Sequence, residues 1–166
     1  LYTTTKDIRF VLNKFTWDPI IEVAVLFLGI FTTMTPALAY LNDHAATLGL
    51  SHTWQFYYAT GALSSFLDNT PTAVAFHSVA SGLTPEQLTA FGTDFVAGIP
   101  ELLLQAICLG AVFFGAMTYI GNGPNFMVKA IAEESGVKMP SFFGYMLKFS
   151  LIVLLPVYIL VQLIFL

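Results

Sequence analysis

The sequence predicts an all-α membrane protein, and two observations carry this prediction. Hydrophobic residues make up 57% of the chain and charged residues only 10%, whereas soluble domains average about 25% charged residues. A soluble domain of this size would need far more polar side chains to cover its surface. The uncharged runs are also long, with 20 residues between Glu22 and Asp43, 27 between Glu101 and Lys129, and 18 after Lys148. A membrane-spanning helix needs about 20 predominantly apolar residues, and these runs supply them.

The composition excludes several other classes of protein. The 16 Phe and 7 Tyr give the chain too much apolar surface for intrinsic disorder. Six basic against ten acidic residues give a net charge of −4, so no basic surface for nucleic acid is expected. The single cysteine, Cys108, can form neither an intrachain disulfide nor a thiolate metal cluster. The sequence contains no GxSxG or HExxH motif. We therefore expect no enzyme activity, and no cofactor other than Na⁺ as a transported or coupling ion.

The first predicted span covers 19–41, and its Pro19 suits the first turn of a helix. Three basic residues precede it: Lys6, Arg9 and Lys14. A secretory signal is the alternative interpretation of this segment. The apolar run is longer than the 7–15 residues of such signals, and the segments that follow are also apolar, which favours a membrane span.

The distribution of Lys and Arg predicts the orientation in an inner (plasma) membrane. The remaining three lysines lie within 129–148, whereas 42–53 and 82–98 contain no Lys or Arg. Cytoplasmic segments carry the excess of basic residues. We therefore predict a multi-pass protein with 1–18 and 129–148 in the cytoplasm, and with 42–53, 82–98 and the C-terminus outside.

The apolar stretch 54–80 predicts a re-entrant helical hairpin. Both of its flanking loops are assigned to the outside, and two full spans would need about 40 residues. We therefore expect one helix to enter the membrane, to turn at a tip over 68–72, and a second helix to return. Asp68 would then lie deep in the membrane, where a carboxylate costs roughly 2.5–3.5 kcal/mol and is interpreted as functional. The alternative is that Asp68 only caps the second helix.

The stretch 100–135 predicts a discontinuous transmembrane helix. Its first half reads as helix through Ile120, and the run 121–125 interrupts it with two glycines and a proline. We expect unpaired carbonyls near 117–120 and a positive N-terminal end after Pro124. The alternative is a break at the membrane surface, followed by an interfacial helix.

The two interruptions share their chemistry. Each places an asparagine two residues before a proline: Asn69 before Pro71, and Asn122 before Pro124. Paired, interrupted hydrophobic segments are typical of the midplane binding site of a secondary transporter. A last span over 142–166 completes the predicted elements.

At these residues the sequence resembles the ion transporter superfamily, and most of all its branch labelled sodium/proton antiporter or putative citrate transport. The resemblance rests on 67–72, 119–126 and 129–143 taken together. It implies one repeat of an inverted-repeat secondary transporter, in which each repeat has a re-entrant hairpin and a broken helix. The chain begins with Leu1, and we expect it to be the C-terminal half of a longer transporter. Dicarboxylate carriers of the superfamily have Ser-Asn-Thr at the tip, and Asp68 in place of that serine favours proton or sodium chemistry.

These observations predict a transporter that exchanges sodium, or another small cation, for protons across a bacterial-type inner membrane. Sodium and a proton would compete for the carboxylate of Asp68, while neutral oxygens complete a site of hard ligands that suit Na⁺. The predicted cation- or substrate-binding residues are Asp68, Asn69, Thr70, Thr72, Gly121, Asn122, Gly123 and Asn125. Na⁺ itself is expected on Asp68, Asn69, Thr70 and the backbone of 121–123. Further candidates are Ser65, Thr118 and Lys129.

Two alternative functions stay open. One is a sodium-coupled carrier of citrate or another carboxylate, which would use the positive helix ends beyond Pro71 and Pro124 to hold the anion. The other is a membrane-embedded structural subunit without transport activity. The expected partners are a small cation and a proton, a carboxylate anion in the citrate case, the lipid bilayer, the other repeat of the same transporter, and a second copy in a homodimer.

Overall fold

The structure is a computed structural model that describes residues 17–166. The expectations for Lys6, Arg9 and Lys14 lie outside the described residues. The described chain is mostly helical. Its α-helices are α1 (Asp18–Asp43), α2 (Thr53–Ser64), α3 (Asn69–Ser81), α4 (Pro85–Thr89), α5 (Glu101–Phe114), α6 (Gly123–Glu134), α7 (Phe142–Tyr145) and α8 (Leu155–Phe165). A π-helical segment (Met146–Leu154) joins α7 to α8, and a short 3-10 turn (Ala45–Leu48) follows α1.

The chain divides into two units, with the boundary between Pro36 and Ala37. Helix α1 runs through this boundary and covers the predicted span over 19–41. The hydroxyls of Thr32 and Thr33 donate to carbonyl oxygens four residues earlier, at 2.6 and 2.8 Å. These polar side chains are thus satisfied inside their own helix, as apolar surroundings require.

Helices α2 and α5 form the closest helix pair in the second unit. A Cβ added to Gly61 would lie 2.5 Å from the ring of Phe114, and one added to Gly110 would lie 2.5 Å from the carbonyl oxygen of Tyr57. Small residues let helix backbones approach closely, which is how helices associate in membranes. The buried side chains around this pair include Phe56, Leu103 and Ile107. Helix α3 contacts both α2 and α5.

Two helices separated by a break occupy the stretch 54–80. Helix α2 ends at Ser64, and α3 begins at Asn69, so 65–68 is the first break. Asp68 has extended backbone angles and occupies the N-cap position of α3. The depth of this break in a membrane stays a prediction.

The second break differs in its position from the expected one. Helix α5 ends at Phe114, six residues before Ile120, and the second break covers 115–122. The predicted hinge residues Gly123, Pro124 and Asn125 form the first turn of α6. Proline is favoured in a first helical turn because its missing N–H would have no partner there in any case.

A short β-hairpin departs from the all-α expectation. Strands β1 (Phe95–Val96) and β2 (Ile99–Pro100) pair antiparallel. The two residues between them, Ala97 and Gly98, have φ values of 53° and 85°. Positive φ at both central residues is the requirement of a tight hairpin turn whose twist matches that of the strands. The sequence offers only one glycine in this turn, which is why the hairpin was not expected.

The last helix, Phe142–Phe165, has 24 residues and consists of α7, the π-helical segment and α8. Within the described part of the chain it is the one helix that is long and apolar enough to cross a membrane. It coincides with the last predicted span, 142–166.

Candidate functional site

Thr118 connects the second break to the first. Its buried hydroxyl donates to the carbonyl oxygen of Ser65. Thr118 Oγ1 also accepts hydrogen bonds from the backbone N–H groups of Ile120, at 3.2 Å, and Gly121, at 3.0 Å. A hydroxyl has one donor and two acceptor positions, and here all of them are used. Thr118 therefore fixes the path of the second break and holds it against the end of α2.

The side chain of Asn69 lies between the two breaks. Ser64 Oγ donates its single proton to the carbonyl oxygen of Ala111 at 2.6 Å, so the Asn69 atom 2.9 Å from Ser64 Oγ must be the amide nitrogen. In this orientation Asn69 Nδ2 also donates to the carbonyl oxygen of Gly121 at 3.3 Å, and Oδ1 accepts from Asn122 Nδ2 at 3.3 Å. The amide of the first residue of α3 therefore contacts the C-terminal end of the second break.

Gly121 lies where three backbone carbonyl oxygens converge. A Cβ added to Gly121 would lie 2.6 Å from the oxygen of Ser65, 2.7 Å from that of Gly115 and 2.9 Å from that of Ser64. These distances are shorter than any ordinary contact of a Cβ, so only glycine fits. The three oxygens come from the C-terminal ends of α2 and α5, where helix dipoles carry partial negative charge. We call these three carbonyls the oxygen cluster; Asn69 lies beside it and donates from Nδ2 to the carbonyl oxygen of Gly121.

Asn125 ties the short helix α6 back to the second break. Its Nδ2 donates to the carbonyl oxygens of Gly115, at 3.0 Å, and Thr118, at 3.3 Å. The two amides that the sequence singled out in the second break, Asn122 and Asn125, thus both contact residues that shape the oxygen cluster.

Other hinge carbonyls are occupied by side chains of the last helix. The Tyr145 hydroxyl donates to the carbonyl oxygen of Ala116 at 3.0 Å, and Ser150 Oγ donates to that of Met117 at 2.6 Å. The expectation of unpaired carbonyls near 117–120 was therefore wrong for Met117 and, because of Asn125, also for Thr118. Tyr145, Ser150 and Ser64 were not among the residues predicted from the sequence. Their signal is present, because a polar side chain within an apolar span needs a partner there.

Asp68 directly precedes Asn69 in the sequence, and its side chain bonds to the backbone at the start of α3 instead of to the oxygen cluster. Its side chain is exposed, and Oδ1 accepts from the backbone N–H of Asn69 at 2.8 Å. This is the capping geometry that was the alternative interpretation of Asp68. Thr72 is buried and donates to the carbonyl oxygen of Asp68 at 2.9 Å. Thr70 and Gly123 are exposed, and Ser65 Oγ donates back to Gly61 within α2.

Lys129 lies on the other side of the second break. Its ammonium is 2.7 Å from a carboxylate oxygen of Glu133 and 5.5 Å from the centre of the Tyr119 ring. Tyr119 is buried and donates from its hydroxyl to the carbonyl oxygen of Pro140 at 3.2 Å. The charge of Lys129 is thus balanced locally, outside the oxygen cluster.

The oxygen cluster consists of neutral groups. Within the described residues no group of three or more His, Cys, Asp or Glu side chains could hold a metal ion. Carbonyl and amide oxygens are hard ligands that suit small cations of low charge, and soft transition metals prefer sulfur or imidazole. Unwound backbone carbonyls at the ends of half-helices are the ligands that transporters use for Na⁺. Two of the three carbonyls already accept one hydrogen bond each, from Thr118 and Asn125, and each oxygen keeps a second lone pair that a hard cation could use.

A family model described as putative citrate transport matches residues 1–166. The chain belongs to this family. Membership in the citrate transport family confirms the predicted transport class and the membrane localisation, and it favours a carrier over an enzyme. No curated protein and no solved structure matched the chain in the other two comparisons.

For a member of the citrate transport family, several finer expectations stay predictions. These are the sodium/proton antiporter branch, the position of the chain as a second inverted repeat, and the sidedness of the loops. The binding role of each residue also stays a prediction.

Proposed function

We propose that this chain carries citrate, or a related carboxylate, across the membrane together with Na⁺, and that Na⁺ binds at the oxygen cluster. The observation that carries this proposal is the convergence of three carbonyl oxygens around Gly121, at 2.6 to 2.9 Å from the position of a Cβ. Two of them come from the end of α2 and one from the end of α5. A cation that bridges these oxygens would join the two broken helices.

Neutral ligands favour sodium over a proton in this cluster. Backbone carbonyls do not titrate near neutral pH, so they bind a metal cation without releasing a proton. The negative ends of two helix dipoles add to the attraction for a cation. Sodium binding then changes the charge of the site by one unit, which is what a coupled anion requires.

The helix that follows the second break supports a role for an anion. Helix α6 begins at Gly123, which is exposed, and the side chain of its N-cap residue Asn122 makes no capping bond to the helix. Pro124 has no N–H, and the Asn125 N–H donates to the carbonyl oxygen of Asn122 at 3.0 Å, so the Gly123 N–H is the first-turn donor left for a carboxylate at this positive helix end. At α3 the corresponding place is already taken by the carboxylate of Asp68. We therefore place the substrate carboxylate at α6, next to the bound Na⁺.

This arrangement couples the two ligands. Na⁺ at the oxygen cluster would order the second break and align α6 for the anion, so each ligand would increase the affinity for the other. Transport would follow when the paired broken helices move relative to the rest of the transporter.

A second candidate is the exchange of Na⁺ for a proton. Asp68 favours it, because this exposed carboxylate directly precedes Asn69 and so lies one residue from the oxygen cluster. In that case the carboxylate would leave its capping bond to take part in cation binding.

The test uses membrane vesicles from cells that express the protein. We expect labelled citrate to accumulate when a Na⁺ gradient is imposed, and not with a K⁺ gradient of the same size. Asn69→Ala should lower sodium-dependent uptake by about tenfold or more, because it removes the amide that joins the two breaks. Asn42→Ala is the matched control, since Asn42 Nδ2 donates to the carbonyl oxygen of Ser78 at 2.9 Å, away from the cluster.

Two other results in these vesicles would contradict the proposal of sodium-coupled citrate transport. Sodium-driven proton flux without citrate uptake would overturn the citrate proposal in favour of exchange. Neither activity in vesicles that contain correctly inserted protein would support the third alternative, a structural subunit.

A further inference from the structure

The last helix contacts the second break through two hydroxyl groups. Tyr145 donates to the carbonyl oxygen of Ala116 at 3.0 Å, and Ser150 donates to that of Met117 at 2.6 Å. Ser150 is buried, with 1% of its surface exposed. The two accepting carbonyls directly follow Gly115, whose own carbonyl belongs to the oxygen cluster. The last helix thus fixes two consecutive peptide groups next to the proposed cation ligands.

Both hydroxyls reach the same short stretch because of the π-helical segment. Tyr145 and Ser150 are five residues apart, and in an α-helix with 3.6 residues per turn they would lie about 140° apart around the axis. A π-helix bonds residue i to residue i+5, so residues five apart lie on the same face, as residues four apart do in an α-helix. The segment Met146–Leu154 is π-helical, and the N–H of Leu155 bonds to the carbonyl oxygen of Ser150 in this pattern. The unusual helix is therefore what brings both side chains to the second break.

Aromatic contacts also hold Tyr145 against the second break. The rings of Tyr145 and Tyr119 stack at 4.5 Å between centroids. Tyr119 is itself part of the second break, and its hydroxyl donates to the carbonyl oxygen of Pro140, just before the last helix. The last helix and the residues just before it thus contact the second break at Ala116, Met117 and Tyr119.

We propose that Tyr145 and Ser150 are positioning residues for the cation site, and that the π-helical segment is the device that places both hydroxyls on the second break. By holding the carbonyls of Ala116 and Met117, they turn these two peptide groups away from the cluster and leave the Gly115 carbonyl to face Gly121. They set which oxygens the cation meets without touching it. This inference rests on the proposed function, because it concerns the same cation site.

The test measures how the sodium concentration controls uptake in Ser150→Ala and in Tyr145→Phe, each of which removes one hydroxyl. We expect the Na⁺ concentration for half-maximal uptake to rise about fivefold in each variant, the ratio that corresponds to the loss of one ordinary hydrogen bond. The maximal rate at saturating Na⁺ should stay within about twofold. The preference for Na⁺ over Li⁺ should fall, because a less rigid set of oxygens discriminates less between ions of different size.

The controls separate positioning from a general loss of structure. Ser150→Thr keeps a hydroxyl at this position and should restore the Na⁺ dependence. Ser81→Ala and Tyr40→Phe remove hydroxyls from exposed side chains elsewhere, and they should behave like the wild type. Should Ser150→Ala fail to insert, Tyr145→Phe tests the inference alone, since it keeps the ring and its stacking.

The same variants distinguish a failure of the positioning role from a failure of the proposed cation site. If Asn69→Ala alters the sodium dependence while Ser150→Ala and Tyr145→Phe leave it and the ion preference unchanged, the cation site stands and the positioning role is refuted. If Asn69→Ala also leaves the sodium dependence unchanged, the proposed cation site is itself wrong.

Discussion

Both helix breaks leave polar groups without partners inside a helix, and the two breaks satisfy these groups in different ways. The first break, 65–68, satisfies its side chains locally: Ser65 donates to Gly61, Thr72 donates to Asp68, and the Asp68 carboxylate caps α3. Its long-range contact is the hydroxyl of Thr118, which donates to the carbonyl oxygen of Ser65. The second break, 115–122, is twice as long and depends on partners from outside it. These partners are Asn69, Asn125, Tyr145 and Ser150.

This difference indicates which break can respond to a ligand. A conformation set by contacts within four residues persists as long as its own helix does. A conformation set by distant side chains depends on how the helices that carry them are arranged. The second break is therefore the element whose shape a bound ion or a helix movement would change. The first break keeps its conformation, and the second break packs against it.

Gly121→Ala tests the point where the two breaks touch, and it has the largest expected effect. The new Cβ would lie within 2.9 Å of three carbonyl oxygens, all of them backbone atoms that cannot rotate away. We expect sodium-dependent uptake to be lost and the protein to be destabilised by about 1–3 kcal/mol, as forced overpacking does. Thermal unfolding in detergent and uptake in vesicles measure the two effects.

Gly123→Ala is the matched control for that experiment. It lies two residues further, in the first turn of α6, and a Cβ there would meet no atom within 4 Å. Alanine is also the better helix former by about 1 kcal/mol. Unchanged or slightly raised stability is expected, so Gly123→Ala controls for stability, while its uptake reports on the carboxylate placed at the start of α6. Equal losses of stability in both variants would mean that the segment tolerates no side chain at all, and that the close approach at Gly121 has no special role.

The sequence predicts the local features of this fold well. Runs of apolar residues, with Pro71 and Pro124 in first turns, give the helices and the existence of two breaks. The capping alternative for Asp68 also follows from the residue type at a helix start. These features depend on neighbours within about four residues, which a single sequence displays directly.

The features that sequence analysis missed depend on long-range contacts. The end of α5 at Phe114 rather than Ile120 reflects hydroxyls more than 25 residues further along the chain, at Tyr145 and Ser150. The π-helical segment that positions them has no distinct composition. The role of Ser64 depends on Ala111, 47 residues away. The residues of the second break were thus recognisable, but their partners were not.

Thr118→Val tests the bond between the breaks with an intermediate effect. Valine keeps the shape of threonine but removes the hydroxyl that serves Ser65, Ile120 and Gly121. Buried groups that lose their partner cost about 1–3 kcal/mol. We expect a lower unfolding temperature and a smaller increase in that temperature when Na⁺ is added, because a ligand that binds more weakly stabilises the folded state less at the same concentration.

Thr118→Ser is the control, since it keeps the hydroxyl and loses only a methyl group. If Thr118→Val unfolds like the wild type, with the same response to Na⁺, the second break is not held by the first. The inference that the first break is fixed and that the second break responds to a ligand would then be refuted.

Asp68→Asn has the smallest expected effect on stability and sharpens the contrast most. Asparagine caps helices about as well as aspartate, so the free energy of unfolding should change by less than about 0.5 kcal/mol. If the oxygen cluster binds Na⁺ through neutral groups alone, sodium-dependent citrate uptake should keep its Na⁺ concentration dependence. If the protein exchanges Na⁺ for protons, the same variant should be folded but should show no sodium-driven proton flux. Loss of sodium dependence as complete as in Asn69→Ala would show that the carboxylate leaves its capping bond to bind the ion, and the first break would then be as responsive as the second.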